Sequence, residues 1–379
     1  MSASKFVDKF QRDASDYLSG KLKIARFAAP FQRFRYDFPG LCEGRYYLLS
    51  AGTKGGKSVI SVHVIADAIC QYMSELLNGR MPEVKPCFVY IPLEESEEDI
   101  LARLYSWFFY NVLGERVSKD EIIFSSPKVN NDNVVRIQNL MNDDRTKLFT
   151  EIVEECFCVK EVASFNDILT VLYSITKVCD SDDMNAYFFF AGNGLSRDTT
   201  VDLPCMVTHE GQANLRMVII DHISLLPYAQ GEKLKGTIDK LSTILVYIRN
   251  KFKISCWVVQ QQNKETYNAS AKSSGEIEPS VSGLADSSYT ARDCNMFLAL
   301  ANPFYFKIDK YKNYSDLDLF GDGIRFLSIV ANRNGVPGGW IALEFDGCTN
   351  SLAELPKQSN TDEFEAARDR IRNRQMQIV

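Results

Sequence analysis

The residues whose types and spacing suit chemistry begin in the stretch Tyr46 to Ile60, YYLLSAGTKGGKSVI. An apolar run stops at a glycine-rich turn, the turn ends in Gly56-Lys57-Ser58, and a helix-compatible run follows. A buried strand that hands such a turn to a helix N-terminus aims backbone N–H groups at an anion, which is the layout of a phosphate-binding loop. The glycines let the backbone close on phosphate oxygens, Lys57 reaches the β- and γ-phosphates, and the Ser58 hydroxyl holds Mg²⁺. The expected nucleotide-contacting set is Gly52, Thr53, Lys54, Gly55, Gly56, Lys57 and Ser58. The full pattern G-x-x-x-x-G-K-S/T is not met, because its first position is Ala51 and Gly52 comes one place late. A glycine-rich turn that merely precedes a helix beginning Lys-Ser is the competing account, but it ignores the strand that leads in. The pattern implies nucleotide binding.

Two acids stand where such a loop needs them. Cys87 to Leu93 (CFVYIPL) is a short apolar run that leads straight into Glu94-Glu95-Ser96-Glu97-Glu98-Asp99. Carboxylates favour a helix N-terminus, and that explains Glu97, Glu98 and Asp99. Glu94 differs, since it sits at the C-terminal end of a strand, where open α/β sheets place their ligand chemistry. Met217 to Ile220 delivers Asp221 in the same way, as the second Mg²⁺-organising carboxylate beside Ser58. His222 follows it and is read as a packing or hydrogen-bonding residue rather than a ligand, with no role assigned. Cys256 to Val259 is another apolar run and ends in Gln260-Gln261-Gln262-Asn263-Lys264, where Gln261 either senses the γ-phosphate or caps a loop.

These runs must be strands of one sheet, separated by helices. Val59 to Leu77 reads as the helix after the loop, and Leu234 to Lys251 as another, with Ile238, Leu241, Leu245 and Ile248 at core spacing. Asn133 to Leu148 and Phe165 to Val178 carry helical patterns, and Tyr187 to Phe190 reads as a strand. Met296 to Ala301, Phe326 to Ala331 and Trp340 to Phe345 are three further strands. Residues 110–215 read as a helical insertion or lid. Ser4 to Ser19 forms an amphipathic helix with Phe6, Phe10 and Tyr17 near one face, which either packs on its own domain or docks on a neighbouring subunit. The expected division is a helix and linker over 1–24, an ATPase domain over 25–356 and a tail over 357–379, whose charge-balanced helical stretch from Asn360 either lies on the surface or is disordered.

Composition agrees with a globular chain: 379 residues, 45% hydrophobic and 24% charged, enough to bury a sizeable core. The net charge of −6 excludes a surface basic all round but not a local basic lining. The ten cysteines include no C-x-x-C pair, so reduced intracellular thiols are expected. No apolar stretch approaches bilayer length and the N-terminus lacks a signal-peptide core, so a cytoplasmic protein without membrane association is expected.

Taken in order, SAGTKGGKS, YIPLEES, VIIDHISLL, VVQQQNK, DSSYTARDCNMFLAL and VANRNGVPGG resemble the motifs of the DnaB-like hexameric replicative helicases of bacteria and their phages. The resemblance spans roughly residues 25–350 and implies an α/β fold: a RecA-like P-loop NTPase core with a mostly parallel central sheet flanked by helices. It further implies ATP and Mg²⁺ as cofactors, Glu94 as the base that polarises the attacking water, Asp221 as the metal-organising acid and Gln261 as the γ-phosphate sensor. Arg333 resembles the arginine finger inserted into a neighbour's site, which implies a ring-shaped homo-oligomer, hexameric by the family's habit. Single-stranded DNA is the implied track, with a primase or helicase loader as further partners. The channel loops would carry Lys233, Lys235, Lys264 and Lys272, which otherwise read as solvated loop lysines. The chain departs from the family at Ala51, at Ala331 (usually lysine) and at Lys264 (usually arginine), and the family's N-terminal domain does not precede the core. The expectation is an ATP-dependent DNA helicase or translocase motor of replication in a bacterial or phage-infected cell. Its rivals are a RecA-like ATPase that does not unwind (a recombinase, loader or switch) and an assembly protein stabilised by ATP.

Overall fold

The computed structural model describes residues 2–19, 25–127, 129–207, 211–263, 277, 279–284 and 286–376. Its centre is a nine-stranded sheet in the order β11-β10-β9-β8-β3-β7-β6-β4-β5. The strands are β3 (Tyr46–Ala51), β4 (Val84–Pro92), β5 (Phe157–Val159), β6 (Ala213–Asp221), β7 (Ser255–Gln261), β8 (Met296–Ala301), β9 (Ile324–Asn332), β10 (Trp340–Asp346) and β11 (Ser351–Glu354). The six from β8 to β5 run parallel, and β9, β10 and β11 complete one edge antiparallel. A separate antiparallel pair, β1 (Arg26–Ala28) and β2 (Gly40–Cys42), precedes the sheet.

Parallel strands covered on both faces must be apolar on both sides, and every residue of β3 is buried. Alternation then sorts each strand between two cores. Tyr47, Leu49, Phe88, Tyr90, Met217, Ile219, Trp257 and Val259 join one core. It is covered by α2 (Lys57–Leu77), α3 (Glu97–Phe108) and α6 (Asp144–Cys156). Tyr46, Leu48, Val89, Val218, Ile220 and Val258 point the other way, into a core covered by α7 (Phe165–Cys179), α8 (Met184–Gly192) and α9 (Leu234–Phe252).

Three local readings change. Tyr187–Phe190, expected as a strand, lies inside helix α8, which Asp183 caps by accepting from Asn185 N–H and whose Ala186 and Phe190 are buried one turn apart. Four apolar residues have no period of their own, and the cap four residues upstream decides. The pattern from Asn133 to Leu148 divides into α5 (Asn131–Met141) and α6, because Asp143 accepts from Arg145 N–H and starts a second helix. The charge-balanced C-terminal stretch is helical as expected but packed rather than on the surface or disordered: Thr361–Met376 buries Phe364, Ala367 and Ile371 and pairs Arg370 and Arg374 with Glu344 of β10. Residues 110–215 supply α5 to α8 and also the edge strand β5. At the other end, the helix α1 (Ala3–Leu18) buries none of its residues.

Candidate nucleotide site

β3 stays in the sheet to its last residue: Ala51 pairs with Gln261 on one side and Leu300 on the other. The turn begins only at Gly52, so Ala51 is a strand residue and its methyl group takes nothing from the loop. The turn closes with Gly55 N–H donating to the Gly52 carbonyl at 3.1 Å. A Cβ on Gly55 would stand 2.7 Å from the Ala51 Cβ, so the loop admits no side chain there. Gly56 takes the left-handed conformation (φ 98°), and a Cβ on it would lie 2.7 Å from the Phe345 ring. α2 follows for 21 residues with no side chain capping its start, leaving its first N–H groups free for an anion. Lys57 reaches back over the loop with Nζ 3.5 Å from the Gly52 carbonyl. Burial pulls its pKa down, and the Asp221 and Glu94 carboxylates pull it back.

Register brings the acids to this loop. β4 and β6 pair in parallel from Val84–Ala213 to Pro92–Asp221, and Leu93 N–H donates to the Asp221 carbonyl at 2.7 Å. Glu94 and Asp221 therefore leave adjacent strands at the same level, beside the loop. Tyr90 donates its hydroxyl to Asp221 Oδ2 at 2.7 Å, and the Ser58 hydroxyl bonds the same carboxylate. Burial raises the Asp221 pKa against those two hydrogen bonds and the nearby His222 and Lys57.

The acidic run after β4 separates by task. Glu95 is held by Arg103 at 2.6 Å and Lys119 at 3.5 Å, and Ser96 with Asp99 forms the capping box of α3. Glu94 keeps a mostly exposed side chain (67%) whose carboxylate lies 3.3 Å from His222 Nε2. His222, expected to pack or to hydrogen-bond without a named partner, is thus the partner of Glu94. Its ring is buried; burial and Lys57 lower its pKa against the opposing pull of Asp221 and Glu94, and Nδ1 has no hydrogen-bond partner among the described residues. Nothing in the sequence marked this contact, since it exists only because β4 and β6 are neighbours.

The three glutamines at the end of β7 and just past it alternate. Gln261 donates to Thr53 Oγ1 of the loop at 2.8 Å, while Gln260 and Gln262 turn to the other side, Gln262 bonding Ser50 at 2.9 Å. A buttress that sequence reasoning missed lies beneath the loop. Arg325, fully buried in β9, donates Nε–H to the Gly55 carbonyl at 2.9 Å, pairs with Asp322 at 2.9 Å and lies 3.8 Å over the Phe345 ring. Burial lowers its pKa to about 10. Asn302 donates to Asp322 at 3.1 Å and lies 3.5 Å from the Lys54 carbonyl. An arginine inside the apolar run IRFLSIV was the available signal.

The donor set suits Mg²⁺. Ser58 and Asp221 present hard oxygens at a helix N-terminus, and the buried carboxylate has a raised pKa that a cation would relieve. Among the described residues, no group of three or more His, Cys, Asp or Glu side chains is placed to hold a metal ion.

Other expected site residues lie elsewhere. Arg333 follows β9, which runs antiparallel to β8 with Asn332 opposite Met296, and its N–H donates to the Asn295 carbonyl at 2.9 Å. Met296 pairs with Tyr47, near the start of β3, whereas the phosphate loop follows the end of β3. A six-residue strand spans about 20 Å, so Arg333 and Lys57 of one chain stand at opposite ends of the sheet. Lys233 and Lys235 are exposed at the start of α9, and Lys264 and Lys272 fall outside the described residues.

No protein-family profile matches the sequence, and no curated protein does. Solved structures do match. A DnaB-like replicative helicase, described with its interactions with primase, aligns at 14% identity over 94% of this chain and 67% of that one, with a TM-score of 0.57. The ATPase domain of G40P aligns at 12% identity over 92% and 99% of the two chains, with a TM-score of 0.55. A KaiC-like protein from the archaeon Pyrococcus horikoshii OT3 aligns at 12% identity over 88% and 100%, with a TM-score of 0.43. The chain has the RecA-like fold of DnaB-like helicase ATPase domains.

Proposed function

We propose that this chain is an ATP-hydrolysing motor that assembles as a ring, hexameric as in the helicases it resembles, and moves along single-stranded DNA during replication in a bacterial or phage-infected cell. One observation carries the reading. Lys57, Ser58, Glu94, Asp221 and Gln261 converge at one end of the sheet, and Arg333 stands at the other. A head-to-tail neighbour is what would join the two halves, and repetition of such a contact closes a ring. In this reading Gly52 to Gly56 and the start of α2 cradle the phosphates and Lys57 neutralises the γ-phosphate. Glu94, oriented by His222, polarises the attacking water, and Gln261 reports the γ-phosphate through Thr53. Ser58 and Asp221 would hold Mg²⁺, which would neutralise phosphate charge when bound. Arg333 of the next subunit would complete the charge on the transferring group. Lys233 and Lys235, with Lys264 and Lys272, would track DNA phosphates. A primase or loader is the further partner implied. No helix among the described residues is long and apolar enough to cross a membrane.

The test is steady-state ATP hydrolysis with and without single-stranded DNA, on protein whose oligomeric state is measured in the same buffer. Several-fold stimulation by DNA, abolished in Arg333→Ala, is expected. Hydrolysis indifferent to DNA would instead favour a RecA-like ATPase that does not unwind, and a well-formed oligomer without hydrolysis would favour the ATP-stabilised assembly reading. Ala331, where a second cation is missing beside Arg333, is the feature that speaks for the latter.

A further inference from the structure

Just before β8 the short helix Tyr289–Asp293 packs against the flank of α9. Its side chains are ordered by stacking. The Arg292 guanidinium carbon lies 3.8 Å over the Tyr289 ring, and Lys235 Nζ lies 5.0 Å from the same ring. Arg292 bonds Asp293 through Nε at 3.2 Å, Lys235 bonds Asp239 at 2.8 Å, and both cations remain about 60% exposed (61% and 59%). A guanidinium has five donors and an ammonium three, so each keeps donors for a further acceptor. Exposed pairs of this kind hold their partners weakly. The Arg333 guanidinium donates to the Arg292 carbonyl, so a row of Lys235, Arg292 and Arg333 runs along this flank.

The backbone under this row is tied to the nucleotide site. Gln260, fully buried, donates to the Ser287 carbonyl at 2.8 Å and accepts from the Thr290 hydroxyl at 2.5 Å. The next residue, Gln261, bonds Thr53 of the phosphate loop. One peptide unit of β7 therefore separates the group facing the phosphate loop from the group holding Tyr289.

We propose that the outward face of Arg292, backed by Tyr289, is a contact site for single-stranded DNA, where the guanidinium plane stacks on a base and Arg292 and Lys235 meet flanking phosphates. Bases stack on guanidinium planes as they do on aromatic rings. A row of spaced cations suits a chain of phosphates, whereas a finger for a neighbour's nucleotide must extend as one charge, unlike an arginine held 3.8 Å over its own tyrosine ring. The inference rests on the motor reading and assigns its track a residue outside the lysine loops.

The experiment is fluorescence anisotropy of a labelled oligo-dT strand against the full-length oligomer, with Mg²⁺ and a non-hydrolysable ATP analogue, over a series of KCl concentrations. Arg292→Ala and Tyr289→Ala each weaken binding about tenfold, and Arg292→Ala lowers the slope of log affinity against log salt by about one phosphate contact. Arg292→Lys keeps the slope and still weakens binding, because it keeps the charge and loses the plane; Tyr289→Phe binds as the parent does. Arg292→Ala binding with unchanged affinity and slope overturns the proposal. So does unchanged binding accompanied by lost hydrolysis, which would assign Arg292 to the neighbour's nucleotide. Parent protein that ignores the oligonucleotide would sink the motor reading and this inference with it, a result distinct from either.

Discussion

At the scale of single residues, the proposed mechanism makes Glu94 the base and His222, 3.3 Å from it, the residue that orients it. Glu94→Gln removes the carboxylate but keeps its size, so hydrolysis should fall by about 10²–10⁴-fold while nucleotide binding persists, read by single-turnover kinetics beside equilibrium binding. His222→Leu should lower kcat more than it raises KM, and His222→Gln, which keeps an N–H near Glu94, should recover part of the loss. Arg325→Met tests the buttress: losing its charged hydrogen bonds should cost about 3 kcal/mol in denaturant unfolding and weaken nucleotide binding. His63 sets an acid limit. Its buried ring accepts from Trp107 Nε1–H at 2.7 Å, and burial lowers its pKa to about 3 from an ordinary value of 6.5. Below pH 6.5 the unfolded chain takes up a proton that the folded chain refuses, so stability present at neutral pH is lost progressively as pH falls toward 3. The urea midpoint should drop between pH 7 and pH 5, and by less in His63→Gln.

At the scale of elements, the two terminal helices behave oppositely. The C-terminal helix is part of the core, with Phe364 only 6% exposed against Tyr314 and Phe320, so Phe364→Ala should cost about 3–5 kcal/mol in the same unfolding experiment. In α1 the apolar residues Phe6, Phe10 and Tyr17 are 58%, 64% and 56% exposed. An apolar stripe left in water suits a neighbouring subunit. Deleting residues 2–19 should shift the oligomer toward smaller species in light scattering while the monomer's thermal unfolding stays unchanged.

At the scale of the whole molecule, a site shared between subunits makes a prediction that no single-chain enzyme makes. In the proposed ring, Lys57→Ala would lack a working loop, and Arg333→Ala would lack the cation for its neighbour. Each alone should be inactive. Mixed in equal amounts and allowed to exchange, about a quarter of random interfaces pair an intact loop with an intact Arg333, so activity should return in part. If both residues belonged to one chain's site, mixing would restore nothing.

What the sequence determined is local: the apolar runs of β3, β4, β6, β7, β8, β9 and β10, the loop between β3 and α2, and the acids that end β4 and β6. Each announces itself through period, glycine placement or a charge at the end of a buried run, and an aperiodic run such as Tyr187–Phe190 misleads for the same reason. The parallel sheet and its RecA-like class were legible from the order of those motifs. Strand order was not, and strand order decides the site. It sets Glu94 beside His222, threads Arg325 under Gly55, splits the glutamines of β7 between two sides, and carries Arg333 to the end of the sheet away from Lys57. These are contacts between residues as many as 270 positions apart, held by burial and register rather than by any local preference, so only the tertiary structure could decide them.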